Sequence, residues 1–380
     1  MKTLVIVCAS LSLIAFSACS KKEDEGKKGT KPKTDKPKTD KGKKKPVAKP
    51  TTKTPKAPDT TKKPATTKPA APLKASKFGP FGIARCTVDG SPMAHESFSK
   101  AIGALAATAN AVFVIDHEGS LRRYLIKPGA DCVLALDAAF ANKGVLKPAK
   151  KIDAMATDSK GTLYAVTDRK LAVLAGGKLE AFCKADLFAT DSLSVTPDDK
   201  HIIANGFSGK WSKIELAKDA CKQTPWAYTP KLKFSDANMV GGRLIMVGKQ
   251  DIKKKHEVHA FGLNGGASAT KFATGEKTAD DNMLCNSAGA FSCGKGVCVI
   301  DNNCRKLLVF GADGKFTEKA EFKKEMFGKS YVWVTSVAQG APDVAFMGVT
   351  IKRPKAKDGD KKAKRMDDGF IFRVSGLAAK

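Results

Sequence analysis

The chain has 380 residues and a formal net charge of +29, with 67 lysines and arginines against 38 acidic residues. Its length and its hydrophobic content of 42% are enough for a substantial core, which excludes a wholly disordered protein. The charge does not indicate nucleic-acid binding, because the N-terminal basic residues are nearly all lysines with no aromatic side chains among them to stack on bases.

Residues 1–18 are predicted to be a signal peptide that is removed after export. A short basic start precedes an apolar run of about a dozen residues, which is too short for a membrane-spanning helix. The small residues Ser17 and Ala18 directly before Cys19 resemble the lipobox of bacterial lipoproteins, in which the cysteine is acylated. Phe16 stands where that family usually has leucine, so an ordinary secretory cut after Ser17 stays open.

The lipobox resemblance implies an exported protein of the bacterial cell envelope, attached to a membrane through lipid on Cys19. Two or three acyl chains hold a protein firmly on a bilayer. No run of eighteen apolar residues follows the leader, so the sequence predicts no transmembrane helix. Ser20, directly after the cysteine, resembles the Gram-negative sorting signal that favours the outer membrane.

Residues 19–77 are predicted to form a lipidated, disordered linker. Residues 20–77 contain twenty lysines, six acidic residues, nine of the 18 prolines and no aromatic residue. Such a composition cannot bury enough apolar surface to fold, and its prolines and like charges favour an extended chain. We expect either a solvated spacer or a segment that adheres to an anionic surface such as acidic lipid or wall polymer.

Eight cysteines remain beyond the leader and the lipidation site, and an even number in an exported protein predicts four disulfide bonds. The eight candidates are Cys86, Cys132, Cys183, Cys221, Cys285, Cys293, Cys298 and Cys304. Their pairing stays open: Cys293 and Cys298 flank a short turn, and a bond between Cys285 and Cys304 is equally compatible with the spacing. Zinc binding by the last four is disfavoured, because they lack paired C-x-x-C spacing.

Residues 78–380 are predicted to form an all-β domain. Short β-type runs recur at intervals of roughly 40 to 50 residues, which is the spacing of four-stranded propeller blades. They begin at Ala111, Thr162, His201, Arg243, Val297 and Asp343. We therefore expect a β-propeller of six four-stranded blades, with residues 78–100 adding the strand that closes the ring. Seven blades or a pair of β-sandwiches stay open, whereas the Trp-Asp signature of WD40 blades is missing.

Residues 297–316 resemble one blade of the NHL- and TolB-like propellers. In this pattern a strand ending in Asp301 is followed by a turn, Arg305, an apolar strand ending in Val-Phe, and an Asp-Gly turn. Cys298 and Cys304 stand where the NHL family often has Tyr and Asn. The resemblance implies six blades and does not imply a particular function.

Four polar residues end the second strand of successive repeat units, and they are the candidates for a polar site at the mouth of the central channel. They are Asp116, Asp168, Asn205 and Asp301. The alternative interpretation is that each side chain accepts hydrogen bonds from backbone groups of the turn that follows.

The segment His256–His259 is similar to a metal-binding pattern but is one residue shorter than His-Glu-x-x-His. On a strand, residues three apart point to opposite faces, so we do not expect metal binding. We predict a surface strand beside a charged hairpin that includes Lys253–Lys255. The basic stretch 352–368 is predicted to be an inserted hairpin loop, either solvated or able to bind an acidic partner.

The sequence contains no catalytic motif, and the expected function is a non-catalytic, monomeric module that binds a protein or glycan partner without a cofactor or metal. One alternative is an envelope enzyme similar to metal-dependent propeller lactonases or lyases, with the four channel-mouth candidates as ligands. Another is a structural protein that links the cell wall through its basic linker.

Overall fold

The computed structural model describes residues 76–89, 102–116, 118–129, 132–183, 185–187, 190, 192–206, 210–217, 221–251, 256–274, 284–285, 287–302, 304–323, 326, 331–352 and 368–378. Cys19, nearly all of the linker, Lys253–Lys255 and most of the 352–368 stretch lie outside these ranges, so the interpretations of those segments stay predictions. No helix within the described ranges is long and apolar enough to cross a membrane.

The described part of the chain is all-β. In chain order its strands are β1 Ser76–Phe78, β2 Phe81–Arg85, β3 Thr87–Asp89, β4 Ala104–Ala107, β5 Ala111–Ile115, β6 Leu121–Ile126, β7 Val133–Leu136, β8 Val145–Leu146, β9 Ile152–Thr157, β10 Leu163–Thr167, β11 Lys170–Ala175, β12 Lys178–Cys183, β13 Leu193–Val195, β14 His201–Gly206, β15 Lys210–Glu215, β16 Gln223–Pro225, β17 Tyr228–Thr229, β18 Lys233–Val240, β19 Arg243–Lys249, β20 Glu257–Phe261, β21 Gly266–Ala267, β22 Thr270–Thr274, β23 Ser287–Cys293, β24 Gly296–Asp301, β25 Lys306–Phe310, β26 Phe316–Glu321, β27 Tyr331–Ala341, β28 Val344–Lys352 and β29 Asp368–Ser375.

Twenty-four of these 29 strands form six antiparallel four-stranded blades. Blade 1 contains β4 to β7, blade 2 β9 to β12, blade 3 β13 to β16, blade 4 β18, β19, β20 and β22, blade 5 β23 to β26, and blade 6 β27, β28, β29 and β2. The innermost strand of each blade contacts the innermost strands of both neighbours, and β27 of blade 6 contacts β4 of blade 1. The ring is therefore closed, which confirms the predicted all-β, six-bladed propeller.

The ring is closed by a strand from the N-terminal side of the domain. Strand β2 pairs with β29, placing Ile83 opposite Val374, and becomes the fourth strand of blade 6. Strand β3 then pairs in parallel with β7 at the outer side of blade 1. A disulfide joins Cys86, which lies between β2 and β3, to Cys132 directly before β7. The first and last blades are thus connected both by strand pairing and by a covalent bond.

The core is formed by the faces on which neighbouring blades pack. The second strands are apolar on both faces because each has a blade on either side: in β5, Val112 and Val114 are buried on one face and Phe113 and Ile115 on the other. Innermost strands carry small residues instead, such as Ala106 and Ala107 in β4, so that six strands can crowd around the axis. Full burial of a valine or leucine contributes about 1.5 to 3 kcal/mol to folding.

Buried polar side chains link neighbouring blades. Ser192 donates from its hydroxyl to the carbonyl of Ala237 at 2.9 Å, which connects blades 3 and 4. Asn302 bonds both backbone groups of Val334, which connects blades 5 and 6. Each of these side chains is more than nine-tenths buried, so its hydrogen bonds offset the cost of removing it from water.

The structure contains the four disulfide bonds that the cysteine count predicts. They join Cys86 to Cys132, Cys183 to Cys221, Cys285 to Cys304, and Cys293 to Cys298. The two pairings that the sequence left equally open both occur, and both lie in blade 5 or at its edge.

Candidate functional site

The six innermost strands enclose an axial cavity of about 330 Å³. Small residues and backbone form most of its wall, together with the polar side chains of Asp153, Ser192, Asn238 and Thr335. Asp153, in β9, is the one carboxylate on this wall among the side chains that the structure describes. Its Oδ1 lies 3.0 Å from the ammonium nitrogen of Lys151, so its charge is already balanced.

A larger pocket of about 580 Å³ opens between blades 1 and 2 and is called the mouth pocket here. It shares Gly103, Ala104 and Asp153 with the axial cavity, so the two spaces adjoin at the edge of the ring. Asp116, Glu118 and Gly119 line one side of the pocket, and the segment 148–153 lines the other. A ligand in the mouth pocket would therefore reach Asp153 and the entrance of the axial cavity.

Asp116 lies in the wall of the mouth pocket, but its carboxylate is occupied by its own turn. Oδ1 accepts hydrogen bonds from the backbone N–H groups of Glu118 and Ser120, both at 2.9 Å. Oδ2 forms a buried ion pair with Nε of Arg122, also at 2.9 Å. The carboxylate thus shapes the β5–β6 turn and neutralises an arginine that is 8% exposed.

The other three channel-mouth candidates do not join Asp116, and none of the four lines the axial cavity. Asn205 is buried in β14 and accepts a hydrogen bond from the backbone N–H of Ser192 at 3.0 Å. Asp168 is exposed in the β10–β11 turn, where its φ is +50°. Asn205 thus bonds a backbone group just before the neighbouring strand β13 and not the turn that follows it, and Asp168 lines neither the axial cavity nor the mouth pocket.

Asp301 is fully buried at the end of β24. Its two carboxylate oxygens accept hydrogen bonds from the backbone N–H groups of Cys285 at 2.8 Å and Cys304 at 3.2 Å. The possible metal-donor atoms of these three residues lie within 4.8 Å of one another, but the two sulfurs are bonded to each other. The chemical role of Asp301 in this arrangement is to fix the backbone on both sides of a disulfide.

The prediction that His256–His259 lie on a surface strand is wrong, because both histidines are buried. His256 is 7% exposed and His259 is 3% exposed. The reason is that β20 lies inside blade 4, between β19 and β22, and its two faces pack against blades 3 and 5. Burial lowers the pKa of both histidines, which favours neutral rings.

His259 belongs to a network of polar side chains in blade 4. His259 lies with Nε2 3.0 Å from Oε2 of Glu257 and Nδ1 3.0 Å from the hydroxyl of Ser268. Burial would raise the pKa of Glu257, but hydrogen bonds from Lys271, His259 and Gln250 outweigh it and lower that pKa to about 2. Since this carboxylate is held as an anion by three donors, the cluster is a polar network within blade 4.

The sequence reasoning missed Asp153 and the loop beside it. Ile152-Asp153-Ala154-Met155-Ala156 is recognisable as a small-residue inner strand, and a single acidic residue within such a strand is a usable signal. An innermost strand has one face on the axis, so a charged residue there either faces the cavity or must be paired in the core.

Comparisons with known proteins identify no family for this chain. No family model and no curated protein matches the chain. Among solved structures, a luciferin-regenerating enzyme is similar with a TM-score of 0.45 and 13% identity over 74% of this chain and 93% of that one. The structure of U3-55K is similar with a TM-score of 0.46 and 9% identity over 73% of this chain and 95% of that one. Similarity at this level carries no argument about function.

Proposed function

We propose that this chain is a cell-envelope lipoprotein whose six-bladed propeller is a non-catalytic module for binding a protein or glycan partner. The lipid on Cys19 would hold it at a membrane, and the lysine-rich linker would separate the propeller from that surface. The lipobox pattern supports the anchor. The four disulfides support an oxidising compartment, because such bonds persist mainly in exported proteins. The blade pattern at residues 297–316 supports a propeller of the NHL- and TolB-like class.

The mouth pocket is the observation that carries the binding proposal. Its volume of about 580 Å³ lies within the range of ordinary ligand sites. Its rim presents the exposed side chains of Glu118, Lys150 and Lys151, and its inner end reaches Asp153. Charged groups of both signs around a preformed pocket can orient a polar ligand such as a protein side chain or a sugar.

A metal-dependent lactonase or lyase would need several converging ligands in the axial cavity. Among the described side chains, the cavity offers one carboxylate, and Lys151 already pairs with it. Asp116, Asn205 and Asp301 instead bond the backbone around them. The donor set therefore favours a binding module over the enzyme.

The proposed pocket can be tested on the full chain with one charge reversal. Lys151→Glu places a second carboxylate next to Asp153 in the mouth pocket, whereas Lys295→Glu makes the same charge change in an exposed turn of blade 5. A glycan array and crosslinking to envelope proteins should reveal a ligand that the Lys295→Glu protein still binds and the Lys151→Glu protein no longer binds. Equal binding by both variants would contradict the pocket assignment.

The anchor and the non-catalytic assignment need separate measurements. Mass spectrometry of the membrane-extracted protein should find an acylated N-terminal cysteine at residue 19, and Cys19→Ser should release the protein into the soluble fraction. Native mass spectrometry should find no stoichiometric metal. A bound divalent ion together with lactone hydrolysis that depends on Asp153 would replace the proposal with the enzyme.

A further inference from the structure

A second opening lies on the outer side of the segment 146–150 and is called the outer groove here. It has a volume of about 360 Å³ and runs between that segment and strands β10 to β12 of blade 2. The mouth pocket lies on the other side of the same segment, since Pro148, Ala149 and Lys150 line both spaces. The outer groove is thus a separate candidate site on the same junction of blades.

The floor of the outer groove is aliphatic. Leu146 and Pro148 contribute from one side, and Ala172, Leu179 and Ala181 contribute from blade 2. The blade 2 residues share one face because Ala172 pairs with Ala181 in the β11–β12 register and side chains alternate along a strand. No aromatic ring lines this groove among the described residues, so it offers aliphatic contacts rather than the ring faces on which sugars stack.

The rim of the outer groove is basic. The exposed lysines Lys147, Lys150, Lys170 and Lys178 surround it, and Asp168 is the one acidic side chain in its lining. Within the described ranges none of these four lysines forms an ion pair. The adjacent basic residues Lys151 and Arg169, in contrast, do form ion pairs.

Lys151 pairs with Asp153 at 3.0 Å, and Arg169 pairs with Asp186 at 2.9 Å. The unpaired positive charge of this junction is therefore concentrated around the groove, where it can attract an anion.

The groove is preformed by contacts between the two blades. The hydroxyl of Thr167 donates to the carbonyl of Lys150 at 3.5 Å, which ties the lysine-bearing segment to the β10–β11 turn. Next to Lys178, Gly177 of blade 2 packs so closely on Ala141 of blade 1 that a Cβ at residue 177 would lie 3.0 Å from the Cα of Ala141. Preformed walls lower the ordering cost of binding.

The groove also borders an edge strand. Strand β12 is the outermost strand of blade 2 and pairs only with β11 among the described strands. Its outer edge has backbone donors and acceptors that an extended peptide can bond by strand addition.

We propose that the outer groove binds an acidic, partly aliphatic peptide segment of another protein. The peptide would lie extended along the groove beside β12, with aliphatic side chains on the floor and carboxylates directed to the lysine rim. Charge selects this occupant over the chain's own linker, because residues 20–77 carry a net charge of +14 and would be repelled by the lysines. The proposal does not depend on a ligand in the mouth pocket.

The test uses the full chain and a fluorescent synthetic peptide of about eight residues that alternates Glu and Leu. The groove variant carries Lys147→Glu and Lys178→Glu, which line only the outer groove. The matched control carries Lys295→Glu and Lys323→Glu, two exposed lysines of blade 5. Both variants have the same net charge, so any attraction of the peptide to the basic linker is equal in the two.

At about 0.15 M salt, fluorescence anisotropy should show roughly tenfold weaker peptide binding for the groove variant and less than about twofold for the control. A peptide that alternates Gln and Leu should bind the unmodified chain weakly. Ala181→Trp, which fills the groove from an exposed position, should also abolish binding while the thermal melt stays unchanged.

Equal weakening by the groove and control variants would overturn the proposal. Groove-dependent binding of phosphatidylglycerol vesicles or of an acidic glycan, with no binding of the Glu-Leu peptide, would overturn the peptide assignment. Lys151→Glu should weaken peptide binding far less than the groove variant does, so failure of the mouth pocket and failure of the outer groove give different results.

Discussion

The side-chain amide of Asn302 forms two hydrogen bonds with the backbone of Val334, as the backbone of a neighbouring strand would. Its Nδ2 donates to the carbonyl of Val334 at 2.7 Å, and its Oδ1 accepts from the N–H of Val334 at 2.8 Å. Asn302 is 3% exposed and follows β24 of blade 5, whereas Val334 belongs to the innermost strand of blade 6. One amide side chain thus satisfies two buried backbone groups where two blades meet.

Replacing this amide should destabilise the propeller. Asn302→Leu leaves both backbone groups of Val334 buried without partners, and we expect the free energy of unfolding to fall by roughly 2 to 4 kcal/mol. Urea unfolding followed by circular dichroism measures this change. Asn264→Leu, at an exposed position, should change it by less than about 0.5 kcal/mol. Similar effects of the two substitutions would show that the contact between blades is not required.

Asp116 should be needed for stability because it neutralises a buried arginine. Asp116→Asn leaves the charge of Arg122 without its partner in a site that is 8% exposed, and we expect a loss of about 3 to 5 kcal/mol. Asp137→Asn tests the neighbouring, more exposed pair with Arg123 and should cost less than about 1 kcal/mol. A small effect at both positions, in a thermal or urea melt, would argue against a structural role for the buried pair.

Two of the disulfides should differ in how much they stabilise the fold. The cysteines of the Cys86–Cys132 bond are 46 residues apart, and those of the Cys293–Cys298 bond are five apart. Loop-closure entropy assigns about 4 kcal/mol to the longer loop and about 2 kcal/mol to the shorter. Paired Cys→Ala variants, compared by urea unfolding, should follow this order. The reverse order would show that local packing, rather than chain closure, determines the effect.

Glu257 should make stability depend on pH in the acidic range. Its pKa of about 2 in the folded protein lies below its ordinary value of 4.5. A depressed carboxyl pKa contributes stability that is present above about pH 4.5 and is lost as the pH falls towards 2. Glu257→Gln should therefore reduce the slope of stability against pH within this window, and Glu321→Gln, on the surface of blade 5, should leave it unchanged. An unchanged slope in both variants would contradict the role of the Lys271–Glu257–His259 network.

The architecture could be predicted from the sequence because its signals are local. Alternation of apolar residues identifies strands, and the recurrence of these runs every 40 to 50 residues identifies blades. The closing strand also follows from local content, since the apolar segment that begins at Phe81 lies just before the first full blade.

The candidate site could not be predicted in the same way. Whether a side chain reaches the axis depends on which strand of its blade is innermost and on which face it occupies. Asp153 meets both conditions, whereas Asp116 follows the second strand and turns back to its own loop. Burial of His256 and His259 likewise depends on the packing of neighbouring blades against blade 4, which the local sequence does not encode.

The N-terminal closing strand also determines how the propeller would respond to mechanical tension. If the chain is held through its N-terminus, a pulling force enters the domain at β1 and then reaches β2, the fourth strand of blade 6. Peeling of these strands would stop at Cys86, because the next covalent link leads to Cys132 in blade 1. The force would then act on blade 1 directly. Under such tension the force would act first on the pairing of β2 with β29, and the Cys86–Cys132 disulfide would limit how far the chain could extend.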